Sequence, residues 1–250
     1  MHGVLEDFWL QVKTHDELTK ISDRDLELVL HNLSDVQLKK MAQKRPMTFT
    51  QRFKQMESKR LASRVKQWLD IERRRHPFEV IGIEEQKNIT IEGLSLTTKI
   101  DRIDQLDDQS HMLIDYKTGQ PQVKSWFSER PDEPQLPLYA LLLTEHTRAV
   151  AFAQLKVGKM GFKGLGDTDF APEGIELFSA SKYAFGGAGW EDLLQEWQTR
   201  ITQLALEFKS GVASVTPKEG SKTCQQCELG GFCRVSSLEI TPFTEVDKDG

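Results

Sequence analysis

The first seventy-five residues carry apolar side chains at helical spacing. Leu5, Phe8, Trp9 and Val12 recur at i, i+3, i+4 and i+7, one stripe of an amphipathic helix. The segment "SDRDLELVLHNL" predicts a second helix with Ser22 or Asp23 as its N-cap. A third runs from near Thr50 to Arg75, with Phe53, Met56, Leu61, Val65, Trp68 and Leu69 as its approximate inner face. Its outer face carries Arg52, Lys54, Lys59, Arg60, Arg64, Lys66, Arg73, Arg74 and Arg75, a run that by itself reads as a solvated surface. Pro77 closes this helical stretch, and the period then changes to two. "FEVIGIEE", "ITIEGLSLTTKIDRID" and "HMLIDYKT" read as strands between turn-formers. "DEPQLPLYALLLTEH" returns to helical spacing and "AVAFAQLKV" reads as a further strand. Residues 158–189 are glycine-rich and give one strand signal, "GIELFSA". "GWEDLLQEWQTRITQLALEFKSG" is a strong amphipathic helix with Gly211 at its C′ position.

Helices, a three-strand meander, then helix, strand and helix predict an α/β or α+β fold with a mixed sheet. The expected division is an N-terminal helical segment at 1–76 packing on a core at 77–212, followed by a cysteine segment and tail at 213–250, all in one compact domain. A length of 250 residues suits that arrangement.

Composition removes several function classes. The net charge is −5, so a nucleic-acid site has to be a local basic patch on an acidic body. The longest apolar stretch, "LPLYALLL", is too short to span a bilayer, and no signal-peptide pattern opens the chain, so a cytoplasmic location is the default expectation. No GxxxxGK[ST] is present, which excludes a P-loop motor in this chain. All three cysteines fall in "CQQCELGGFC", a cluster that points to metal rather than disulfides.

The chemistry concentrates in "LIDYKTGQP". Strands 94–104 and 111–117 are joined by the polar "QLDDQSH", and a hairpin pivoting at Asp108 sets Asp101 directly opposite Asp115. Lys117 shares their face. Cross-strand neighbours stand about 4.5–5.5 Å apart, where two acids must share a proton, titrate abnormally or hold a cation. Hard cations such as Mg²⁺ prefer carboxylate oxygens, and a lysine alongside suits metal-assisted hydrolysis. The plainer reading is a surface hairpin with chance acids, and a one-residue slip in register would separate the two faces.

"KIDRID…LIDYKTG" resembles the core of the PD-(D/E)XK nuclease superfamily, in the form found in RecB-type and AddB-type nuclease domains. "PQLPLYA" is similar to that group's QxxxY motif, "CQQCELGGFCR" to the C-terminal cysteines of its iron–sulfur members, and "MHGVLEDFW" to its histidine-bearing N-terminal helix. The resemblance implies a restriction-endonuclease-like α/β core, with a mixed central β-sheet flanked by helices and an N-terminal helical segment. It implies a Mg²⁺- or Mn²⁺-dependent, exonuclease-like deoxyribonuclease attached to helicase–nuclease repair or recombination proteins, with DNA and a helicase as partners.

On the same resemblance Asp101 and Asp115 are the metal-binding acids, Lys117 is the catalytic lysine and His2 is a further ligand. The glutamate of the preceding strand is Glu84 or Glu85. Strand alternation allows only one of them to reach the ion, and Glu84 is favoured. Gln135 and Tyr139 would contact DNA near the scissile phosphate. Cys224, Cys227 and Cys233 match three of the four ligands of an iron–sulfur cluster or zinc site. The fourth is expected upstream of Met1 in a longer parent, where a 4Fe–4S cluster would staple the C-terminal segment to the N-terminal helices. Two rivals remain: a DNA-binding or assembly module that kept the nuclease fold without turnover, and a zinc-knuckle adaptor.

Overall fold

The structure is a computed structural model and describes residues 1–143, 146–225 and 227–233. The chain forms two compact units, Met1–Gln203 and Leu204–Gly250. In the first, four helices precede the sheet: α1 His2–Trp9, α2 His15–Lys20, α3 Asp23–Lys44 and α4 Gln51–Glu72. Their starts follow from capping side chains. Ser22 accepts from the Asp25 amide and Thr50 from the Phe53 amide, each satisfying a donor left open in a first turn. Thr14 and Glu17 form a reciprocal capping box around α2, a one-and-a-half-turn helix too short for a periodic signal.

Six strands follow in sequence order across one sheet: β1 Phe78–Ile91, β2 Leu94–Leu106, β3 His111–Lys117, β4 Thr147–Gln154, β5 Gly161–Gly166 and β6 Ile175–Leu177. β1, β2 and β3 make an antiparallel meander. The continuous stretch "ITIEGLSLTTKIDRID" is broken by a two-residue turn, Glu92 and Gly93, both at positive φ, which suits a tight hairpin. α5 Gln135–Leu142 then carries the chain over to β4, which runs parallel to β3; β5 pairs antiparallel with β4 and β6 parallel with β5. The mixed α/β sheet expected from the sequence is present. β5 lies inside the glycine-rich stretch that gave no strand signal there. A Cβ at Gly164 would stand 2.0 Å from the Val150 carbonyl oxygen, so glycine permits this close strand pairing.

Apolar cores cover both faces. One joins Leu5, Phe8 and Trp9 of α1, Val65 and Trp68 of α4, and Met112, Ile114 and Tyr116 of β3. The other joins Ile103, Leu113 and Phe152 with Tyr139 of α5 and Trp190, Leu193 and Trp197 of α6, which spans Trp190–Lys209. Phe53 and Met56, expected on the inner face of α4, are exposed: they sit in its first turns, ahead of the buried stretch that begins at Ser58.

In the second unit α6 ends as predicted. Gly211 has φ +73, its amide donates to the Phe208 carbonyl and the Val212 amide to the Glu207 carbonyl, a Schellman closure. Two short helices follow, α7 Ser221–Gln225 and α8 Gly230–Cys233. The predicted polar tail beyond Cys233 lies outside the described residues. Among those residues no helix is long and apolar enough to cross a membrane.

Candidate active site

The β2–β3 register is the predicted one, with Arg102 opposite Ile114 and Asp104 opposite Met112. Pairing stops one step short of Asp101 and Asp115. There the Asp101 carboxylate bridges the strands instead, Oδ2 accepting from the Tyr116 amide at 2.9 Å. His2 Nδ1, from the first turn of α1, lies 3.8 Å from the same oxygen, and its ring meets Tyr116 edge-on. Burial raises the Asp101 carboxyl above the usual carboxylate range, against the pull of the Tyr116 amide and of His2.

Asp115 is 4 % exposed, and burial pushes its carboxyl from 3.8 to about 6. Lys117 Nζ lies 3.0 Å from Asp115 Oδ2 and 3.2 Å from Glu133 Oε2. Lys117 therefore covers Asp115 Oδ2, a buried oxygen to which no other group among the described residues donates a hydrogen bond. Burial works against the Lys117 ammonium, but the two carboxylates outweigh it and hold its pKa above the ordinary lysine value.

Glu84, not Glu85, belongs to this group. Glu84 lies close enough to help raise the Asp101 carboxyl, and it pairs with Lys99; Glu85 pairs with Lys87. Glu84 also has φ +50 inside β1, just past a register shift between Val80 and Gly82. A non-glycine residue in left-handed backbone is strained, and such strain concentrates at functional sites. Glu6, one turn after His2, feels the charges of Glu84 and Lys99. The sequence reading missed Glu6 and Glu133; the i, i+4 spacing of Glu6 from His2 was the available signal for the first, and none existed for the second.

Tyr139 is tied into the fold by its hydroxyl. Only 2 % of it is exposed, its hydroxyl donates to the Lys99 carbonyl and accepts from the Lys99 amide at 3.2 Å, and Gln135 donates to that hydroxyl. The pair therefore fastens α5 to β2 two residues before Asp101. Behind the site, Arg102 is buried over the Trp9 ring at 3.9 Å, donates to Glu72 and Asp104, and reaches the Tyr116 hydroxyl at 3.1 Å. Arg75 closes this ion network with Glu72 and Asp104. The residue between Asp115 and Lys117 is thus anchored at its ring while its backbone holds Asp101.

A family model described as the PD-(D/E)XK nuclease superfamily matches residues 1–234. The chain belongs to this superfamily. A comparison with curated proteins gave no match. The superfamily is one of nucleases, which typically use divalent metals. Among the described residues of this chain, no three His, Cys, Asp or Glu side chains stand close enough to cage a metal ion as they are. Ammonium groups lie on the acids instead, Lys99 on Glu84 and Lys117 on Asp115. The donors themselves suit a hard cation: carboxylate oxygens from three strands, with Asp115 Oδ2 buried beneath the Lys117 ammonium. The cysteines fit less well. Cys224, Cys227 and Cys233 are free thiols, Cys227 is exposed, and the chain holds no fourth cysteine, so they do not by themselves make up a four-thiolate site.

Proposed function

We propose that this nuclease is a Mg²⁺- or Mn²⁺-dependent deoxyribonuclease, exonuclease-like, of the kind attached to helicase–nuclease repair and recombination proteins. The observation that supports it most is the convergence of Asp101, Asp115, Glu84 and Lys117 at the end of the β2–β3 pairing, with one buried carboxylate oxygen covered by the Lys117 ammonium. In this reading Asp101, Asp115 and Glu84 hold the cation, with His2 beside Asp101. A bound divalent cation supplies positive charge against the phosphate oxygens and a place where water ionises near neutral pH. Lys117 orients the attacking water and balances negative charge growing on the phosphate. Tyr139 and Gln135 keep the β2 backbone in place under Asp101, and the Arg102 network does the same for β3 through Tyr116. DNA would run along the basic outer face of α4.

The helicase partner rests on the RecB- and AddB-type resemblance of "DRID…DYKTG" with "QLPLY". Linear DNA incubated with Mg²⁺ or Mn²⁺ tests the activity. Degradation by the wild type, absent in Asp115→Ala and Lys117→Ala, is the expected result. Cleavage that survives both substitutions places the chemistry elsewhere. An inert wild type that still binds DNA favours the assembly-module reading, for which the two lysine–carboxylate pairs are the supporting observation.

A further inference from the structure

Glu133 belongs to none of the motifs above, yet it touches the lysine on which the proposed chemistry depends. It lies in "RPDEPQ", where Pro131 and Pro134 fix the backbone on either side. The Asp132 amide donates to the Ser125 carbonyl at 3.1 Å, tying the loop to the preceding turn. The side chain of Glu133 is 40 % exposed and that of Asp115 is 5 % exposed. Lys117 therefore stands between a buried carboxylate and a hydrated one, 3.0 Å from the first and 3.2 Å from the second.

These two partners have different consequences. An ammonium resting on Asp115 Oδ2 competes with a cation for that oxygen. With a divalent cation on Asp115, repulsion drives the ammonium away, and its cost depends on what receives it. Glu133 is already in contact and keeps much of its hydration, so it can take the ammonium without a second buried charge. We propose that Glu133 is a positioning residue for Lys117. It draws the ammonium off Asp115, opens Oδ2 to a divalent cation, and keeps Lys117 at the site. This inference rests on the nuclease reading above.

Mn²⁺ titrations, followed by the resonance of the free ion, test it on wild type, Glu133→Gln, Lys117→Met and the double variant. Glu133→Gln should weaken Mn²⁺ binding about threefold, the scale of one partly exposed ion pair. Lys117→Met should tighten binding by removing the competitor, and adding Glu133→Gln to it should cost less than in the wild type, because the two residues act through each other. Unchanged affinity in Glu133→Gln overturns the positioning role alone. A loss just as large without Lys117 also overturns it, making Glu133 a cation ligand in its own right. A wild type that takes up no Mn²⁺ removes the nuclease reading and this inference together.

Discussion

Asp115 is held in the fold at a cost that depends on pH. Its carboxyl ionises near 3.8 in an unfolded chain and at about 6 in the fold, chiefly because it is buried. Between those values the folded chain holds the proton more tightly than the unfolded one, so Asp115 favours folding at low pH and loses that advantage as pH rises through about 6. Above it, the ionised buried group costs roughly 2–3 kcal/mol. Asp115→Asn should therefore be about 2 kcal/mol more stable than wild type in urea at pH 8, with the difference gone near pH 4. Equal stability of the two proteins at both pH values would remove burial as the cause. The same variant should lose Mn²⁺ uptake, separating the fold's preference from the reaction's.

Strand β1 departs from regular geometry where it approaches Asp101. Its register shifts after Val80, and Glu84 takes φ +50 a few residues on, the stretch of β1 that brings Glu84 close to Asp101. Removing the Glu84 carboxylate with two different residues isolates the backbone cost. Glu84→Gly should be about 1 kcal/mol more stable than Glu84→Ala, the reverse of the usual order within a strand. Matching urea midpoints would mean the strand relaxes without strain. Such features mark where sequence reasoning stops. Periodicity revealed α1, α3, α4, α6 and the meander, because long amphipathic elements repeat their pattern several times. It missed α2, which is six residues long, and β5, where Gly164 and Gly166 permit close packing and give no apolar side-chain alternation. Asp101, Asp115 and Lys117 were legible because two acids and a lysine fell at period two on either side of one short turn. Tyr139 was legible as a motif but not as a fastener, since its backbone hydrogen bonds go to Lys99, forty residues away. Glu133 was not legible at all: only the fold carries that loop to Lys117.

Across the whole molecule, charge is uneven. A net charge of −5 opposes DNA, while α4 turns Lys59 outward among further basic residues. Arg60 is paired with Glu57 and Lys66 with Asp23, which leaves Lys59 and Arg64 as the better probes of that face. Lys59→Glu combined with Arg64→Glu should weaken duplex binding and reduce the slope of log affinity against log salt by about 1.8, as expected for two phosphate contacts. An unaltered slope would move the DNA path off this helix. The ion network under β2 has a different consequence. Asp101 and Arg102 are adjacent, yet one lies at the rim where a substrate would arrive and the other sits in a buried, charge-balanced set with Glu72, Asp104 and Arg75. Taking a partner out of such a set costs several kcal/mol, whereas neutralising a carboxylate that burial already disfavours, as at Asp101, costs little or even helps. Descent can therefore silence this chain at one position and leave a sound, long-lived scaffold, while a change at the very next position erases the scaffold itself.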